Sequence, residues 1–312
     1  MIEIYKSNPE ESAVIKIDQP EKNCWINLTH PSGDEIGKIA SELQIPADFL
    51  AAALDEEERP RLEYEDGVSL ILIDIPRETE SDMPYLYDTL PLGIIIKQDH
   101  VVTICLSESP IIRQFIDGRI KSFFTSKKTR FLFLILYQTA KQYLKYLRII
   151  DRKSTEFEEV LKKSIRNEAL LTLMNLQKSL VFFSTSLKSN EIVLEKIMKS
   201  SPIQFYEEDV ELLDDVIIEN KQAIEMANIY TTILTGTMDA FASIINNNMN
   251  AIIKILASIT IILSIPTIVT SFFGMNVGLP LQQNPLAYIY IILFAAIICF
   301  CLGYILKKKD FL

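Results

Sequence analysis

"ILASITIILSIPTIVTSFFGMNVGLPLQQNPLAYIYIILFAAIICFCLGYIL", residues 255–306, holds no Asp, Glu, Lys, Arg or His, in a chain that is 23% charged. About 20 apolar residues in a helix cross the hydrocarbon core of a bilayer. Ile255–Phe273 supplies one such run and Leu286–Leu306 a second. Between them "GMNVGLPLQQNP" carries glycines, prolines and amides, which is the chemistry of a tight connection. Soluble cores seldom run this far without a charge. Two membrane helices joined by a short loop are therefore preferred over a buried soluble hairpin.

The flanks set the orientation. Lys254 precedes the first span, Lys307, Lys308 and Lys309 follow the second, and the loop has neither Lys nor Arg. The positive-inside bias then places both termini in the cytosol and the loop outside, as expected of a multi-pass protein of the cell membrane. The N-terminus, "MIEIYKSNPEESAVIKI", has no basic start followed by an apolar core, so it does not read as a secretory signal. The four cysteines, Cys24, Cys105, Cys299 and Cys301, form no disulfide or metal-finger pattern. Asn27-Leu28-Thr29 matches a glycosylation sequon by chance in a domain read as cytosolic. The formal net charge of −10 argues against nucleic acid, which needs a basic face.

Upstream, the texture changes once. "SAVIKI", "VSLILIDI", "LGIIIK" and "HVVTICL" are short β-branched runs bounded by charged or turn residues. "SGDEIGKIASELQI" and "PADFLAAALDEE" space their apolar residues as amphipathic helices do. Residues 1–125 thus read as a cytosolic α/β domain. From Lys127 to Asn250 the only proline is Pro202 and the only glycine Gly236, and apolar residues recur at helical spacing. Ser201-Pro202 reads as an N-cap followed by a first-turn proline. No stop signal follows, so one helix is expected from about 202 to 273, about 108 Å at 1.5 Å per residue. Residues 126–250 form a helical stalk and 251–273 a first transmembrane helix. Residues 274–285 make the outer loop, 286–306 a second transmembrane helix and 307–312 a basic cytosolic tail. The crowd of acids beginning at Glu207 and Glu208 suits a helix dipole.

One face of the first span is distinctive. Asn250, Ile253, Ala257, Thr260, Ser264, Thr267, Ser271 and Gly274 follow alternating steps of three and four, and are small or hydroxylated at nearly every level within the bilayer. Such a stripe serves close helix packing in lipid, or lines an aqueous path made by several copies. Two spans per chain cannot enclose a pore, so the second reading requires a ring of identical subunits. Pro266 leaves the Ile262 carbonyl without its helical donor, a gap that a kink or a water can satisfy.

Gly274-Met275-Asn276, after the first of two C-terminal spans, resembles the signature of the CorA family of magnesium channels. The resemblance covers essentially the whole chain, and "LDEEERPRLEYEDGVSLIL", residues 54–72, is similar to the family's N-terminal domain. It implies an α+β membrane protein forming a funnel-shaped homopentamer, with the first span lining the pore. Gly274, Met275 and Asn276 would then ring the outer mouth as a selectivity filter. Mg²⁺ gives up its water reluctantly, so a ring of Asn276 amides would address the hydrated ion. Counting back from the tripeptide, Asn250 falls on a polar ring at the cytosolic end, Thr267 on a pore threonine and Leu256 near a hydrophobic constriction. Ser264 stands where some members have methionine, and Pro266 lies one place later than their proline.

The same counting puts Asp215 on a stalk carboxylate that binds a regulatory divalent ion between neighbouring subunits, and Asp239 on a second acidic position. The partner carboxylate is expected in "RETESDMPYLYD", with Glu78, Glu80 and Asp82 as candidates. The family reading makes Mg²⁺ both substrate and regulatory ligand, with Co²⁺ or Ni²⁺ as further passengers. The expected partners are copies of the same chain, the lipid bilayer and divalent metal ions. A zinc or other transition-metal transporter of the same superfamily is the alternative, against which Met275 and the presence of only two histidines, His30 and His100, weigh. A membrane-tethered sensor or enzyme is the alternative of another class. No Ser/His/Asp grouping, HExxH or glycine-rich nucleotide loop is visible, so neither catalysis nor an organic cofactor is expected.

Overall fold

The computed structural model describes residues 1–7, 14–79, 85–121, 123–163, 167–200, 206–280, 284–309 and 311. The chain divides into two compact units, Met1–Thr237 and Met238–Leu312.

The first unit is built on a seven-stranded sheet. Its strands are β1 (Ile2–Ser7), β2 (Val14–Ile17), β3 (Trp25–Thr29), β4 (Arg61–Glu65), β5 (Val68–Glu78), β6 (Tyr87–Lys97) and β7 (His100–Cys105). They lie in the order β2-β1-β3-β7-β6-β5-β4. Among the described residues only the β3–β7 pair is parallel. The connection between those two strands carries α1 (Gly33–Leu43) and α2 (Ala47–Ala52), together with the β4–β6 meander. α1 opens with a capping box in which Ser32 Oγ accepts from the Glu35 amide and the Glu35 carboxylate accepts from the Ser32 amide. β4 and β5 are joined by Asp66 (φ +47°) and Gly67 (φ +79°), between the paired residues Glu65 and Val68. Two central residues at positive φ make this the two-residue hairpin turn for which Asp-Gly is suited.

The continuous apolar run in β5 reflects burial on both faces of the sheet. Leu70 and Leu72 join a core with Ile26, Leu28, Ile39, Phe49 and Leu50, under α1 and α2. Ile71, Ile73 and Ile75 point the other way, into a core with Trp25, Phe115, Phe131 and Val193. That second face is covered by α3 (Pro110–Ile116), α4 (Lys128–Lys163) and α5 (Asn167–Ser200). Trp25 is fully buried, edge-on to Phe131 at 5.1 Å. Its indole N–H donates to Thr103 Oγ1 at 2.8 Å, and Thr103 in turn donates to Asn27 Oδ1 at 2.9 Å. Asn27, the sequon asparagine, is therefore a buried structural side chain. Gly93 in β6 has a steric role: a Cβ there would meet Ile104 Cγ2 at 2.7 Å and Ala53 Cβ at 2.9 Å.

α5 is fastened to β5 by a reciprocal pair. The Asp74 amide donates to Asn190 Oδ1 at 2.9 Å, and Asn190 Nδ2 donates to the Asp74 carbonyl at 2.8 Å. Burial, reinforced by the nearby Asp88 charge, pushes the Asp74 carboxyl up to about 6. A raised acid holds its proton longer in the folded than in the unfolded chain, so Asp74 opposes folding increasingly as pH rises from about 4 through 6.

α6 runs without interruption from Glu207 to Phe273, 67 residues. Ser201 and Pro202, the expected start, lie outside the described residues. Within the first unit α6 buries Leu213, Val216, Asn220, Ala223, Ala227 and Leu234, steps of three and four with one of seven, so a single stripe faces the core. α7 spans Ala287–Lys308. Both α6 and α7 contain stretches long and apolar enough to cross a membrane.

Candidate pore helix and regulatory carboxylates

The membrane-length part of α6 has two distinguishable faces. Ser258 is buried, and Ile262, Ile265, Val269 and Phe273 are partly buried. On α7, Ala295 is buried while Ile291, Cys299, Gly303 and Leu306 are partly buried. These faces meet: Cys299 Sγ donates to the Ile262 carbonyl at 3.6 Å, and a Cβ on Gly303 would lie 3.9 Å from Ile262 Cδ1. Below them, Ser258 Oγ is 3.2 Å from the Phe311 carbonyl.

The small and hydroxylated stripe lies on neither contact face. Asn250, Ile253, Ala257, Thr260, Ser264, Thr267 and Ser271 are all exposed, as is Leu256, at 64%. The stripe therefore does not pack α6 against α7; small residues do that work from α7, where Ala295, Cys299 and Gly303 recur every fourth position. The stripe's hydroxyls turn their protons back to their own helix. Thr260 donates to the Leu256 carbonyl at 2.8 Å, Ser264 to Ile261 at 2.8 Å and Thr267 to Leu263 at 3.2 Å. Each oxygen keeps lone pairs free to accept from water.

α6 ends at the tripeptide. The Gly274 amide donates to the Thr270 carbonyl at 2.9 Å and the Met275 amide to Phe272 at 3.4 Å. A Cβ on Gly274 would stand 3.2 Å from the Thr270 oxygen, closer than side chains ordinarily come. Met275 and Asn276 are exposed, and the Asn276 amide has no hydrogen-bond partner among the described residues.

The CorA-like Mg²⁺ transporter protein family matches residues 20–308. The chain belongs to that family. The cobalt/magnesium transport protein CorA of Methanocaldococcus jannaschii is 29% identical over 298 residues, 92% of this chain and 91% of that protein. The protein of the same name from Thermotoga maritima is 21% identical over 280 residues, 87% of this chain and 78% of that one. Among solved structures, the complete CorA magnesium transporter of M. jannaschii superposes with a TM-score of 0.86 at 26% identity. That match covers 100% of this chain and 99% of the other.

In this CorA-family chain the stalk acids separate by environment. Asp209, at 3% exposure, pairs with Arg130 at 3.6 Å and ties the start of α6 to α4. Glu208 lies 3.6 Å from Lys127. Asp215 is exposed and makes no ion pair among the described residues, and Asp239 is likewise exposed. Glu78, at the end of β5, is exposed, whereas Glu80 and Asp82 lie outside the described residues. No group of three or more His, Cys, Asp or Glu side chains able to hold a metal forms within one chain among the described residues.

The sequence reading missed the donor to Ile262. The four-residue spacing of Ala295, Cys299 and Gly303 marks a small face on an otherwise bulky span, but not the carbonyl that face meets.

Proposed function

We propose that this chain assembles as a ring, on the family pattern a homopentamer, that conducts Mg²⁺ inward down the membrane potential. The observation that carries this reading is the orientation of the stripe. α7 occupies one face of α6, while the face from Asn250 to Ser271 is exposed, without a partner on α7 among the described residues, and leads to Gly274, Met275 and Asn276. An exposed row of hydroxyl oxygens and one terminal amide suits a path for a hydrated cation. Ile253 and Leu256, at 54% and 64% exposure, would form the apolar constriction near its cytosolic end. The Asn276 ring would select by holding the water shell of the ion, with Gly274 permitting the turn and Met275 packing the loop.

The driving force needs no nucleotide. At 100 mV a divalent cation moving inward gains about 4.6 kcal/mol. For regulation, Asp215 of one subunit and an acid at or just past the end of β5 of the next would share a cytosolic Mg²⁺, with Glu78, Glu80 and Asp82 as the candidates. Asp239 would supply a second acidic position. Bound Mg²⁺ offsets carboxylate repulsion and keeps the ring closed; its loss lets subunits separate and the constriction wet. Co²⁺ and Ni²⁺, octahedral oxygen-tolerant ions, are the expected further passengers. Both termini would lie in the cytosol of a cell-membrane protein.

Thiol labelling tests the face assignment. Ser264→Cys or Thr267→Cys in proteoliposomes should lose Mg²⁺ uptake on treatment with a bulky, charged, water-soluble thiol reagent. Ile259→Cys and Val269→Cys, which stand at no three- or four-residue step from any stripe position, should not. Equal block at both faces, or block at neither, contradicts the assignment.

A further inference from the structure

Pro266 has no amide proton, so the Ile262 carbonyl lacks its usual helical donor. In the hydrocarbon core an unsatisfied carbonyl is costly and has to be met from elsewhere. Here the donor comes from the other helix, since the Cys299 thiol reaches that carbonyl at 3.6 Å. The approach is permitted by small residues on α7: Ala295 is buried one turn before Cys299, and Gly303, one turn after, leaves Ile262 Cδ1 3.9 Å from where a Cβ would stand. Cys301, two residues away, is exposed and makes no such bond among the described residues.

We infer that Cys299 is a positioning residue for the pore helix: its thiol closes the hydrogen-bond gap left by Pro266 and holds α6 against α7 at that level. The gap lies at the level of Ser264 and Thr267, on the opposite side of α6, so a bend there moves those hydroxyls. With the thiol in place, α7 supplies the missing donor and the break stays dry. Without it, the carbonyl is free to draw water, the helix bends at Pro266, and the segment carrying Thr267, Ser271 and Asn276 shifts. The inference rests on the reading of α6 as pore-lining. It adds that the wall is fixed by a side chain that never touches the ion.

The test is a double-mutant cycle with a spectroscopic arm, on the full-length protein in lipid. Cys299→Ala should lower Mg²⁺ uptake roughly three- to fifteenfold, the range that interhelical hydrogen bonds in membranes carry. In a Pro266→Ala background the amide of residue 266 again reaches the Ile262 carbonyl, and the same Cys299→Ala change should have little further effect. The infrared arm needs no transport. The S–H stretch of Cys299, taken as the difference between wild type and Cys299→Ala, should lie below that of Cys301 obtained from Cys301→Ala, because hydrogen bonding weakens the S–H bond. It should move toward the Cys301 position in Pro266→Ala. Equal losses in both backgrounds, or a Cys299 band coincident with that of Cys301, overturns the inference. Should the protein not conduct at all, the pore reading falls, and the infrared bands still decide the role of Cys299.

Discussion

Asn276→Ala is expected to reduce Mg²⁺ uptake by about a hundredfold or more while leaving the protein folded and assembled. A hydrogen bond contributes roughly 0.5–1.5 kcal/mol net. In the proposed pentamer, five amides, each losing about 0.5 kcal/mol of contact with the ion's water shell, would raise the barrier by about 2.5 kcal/mol, close to two decades in rate. Asn276 makes no hydrogen bond within its own chain among the described residues, so nothing in the fold of one chain is lost with it. Asn276→Gln keeps the amide but moves it outward by one methylene, and should recover only part of the flux. Asn276→Asp keeps the size and adds charge. It should bind divalent ions more tightly and pass them more slowly, since conduction needs departure as well as arrival. Uptake by the alanine variant equal to wild type would remove the filter assignment.

Asp215→Lys is expected to abolish the dependence of the closed state on Mg²⁺. An exposed ion pair contributes about 0–1 kcal/mol, too little for a switch at one interface. In the proposed pentamer, five interfaces moving together would sum to at most about 5 kcal/mol, approaching the roughly 5.5 kcal/mol that turns a 1:99 equilibrium into 99:1. A lysine places a fixed cation where the shared ion would sit, so the ring stays shut whether Mg²⁺ is present or chelated. Asp215→Ala supplies neither ion site nor cation, and uptake should persist when internal Mg²⁺ is high. Limited proteolysis with and without Mg²⁺ reads both: wild type should be protected by Mg²⁺, Asp215→Lys protected in either condition, and Asp215→Ala in neither. Mg²⁺-dependent protection unchanged in both variants would discard Asp215 as the regulatory ligand. It would leave the pore account standing.

The parts of this molecule that were legible in its sequence are those governed by one-dimensional rules. The charge-free run from Ile255 to Leu306 marks both membrane-length helices, because charge exclusion leaves its trace residue by residue. The run "VSLILIDI" marks β5, since burial on both faces demands apolar residues at every step. β4 escaped, because Arg61, Glu63 and Glu65 alternate with Leu62 and Tyr64 on an edge strand, where polar side chains cost nothing. β3 escaped for a different reason: Asn27 and Thr29 interrupt its apolar run, although Asn27 is satisfied by Thr103 from the neighbouring strand. α3, seven residues long, is too short to show a period.

The faces of α6 illustrate the same limit. Steps of three and four identify a stripe, but that spacing suits both packing and a pore. The contact of α7 with Ile262 shows only that the stripe does not pack against α7 of its own chain. The carbonyl gap at Ile262 was legible from Pro266, whereas its donor, 37 residues away, was not, because a tertiary contact has no local period. Asp215 and its partner acid would be joined only between copies, which no single chain can display.

The central claim is that an uncharged helix end repeated around a ring passes hydrated Mg²⁺. It is tested most directly by uptake into proteoliposomes of the purified full-length protein under an inside-negative potential, with Mg²⁺ and Zn²⁺ compared at equal concentration. The account predicts rapid, potential-dependent Mg²⁺ uptake that exceeds Zn²⁺ uptake and needs no nucleotide. Uptake of Zn²⁺ in preference to Mg²⁺, or no Mg²⁺ uptake by protein shown to be assembled in the bilayer, would contradict it.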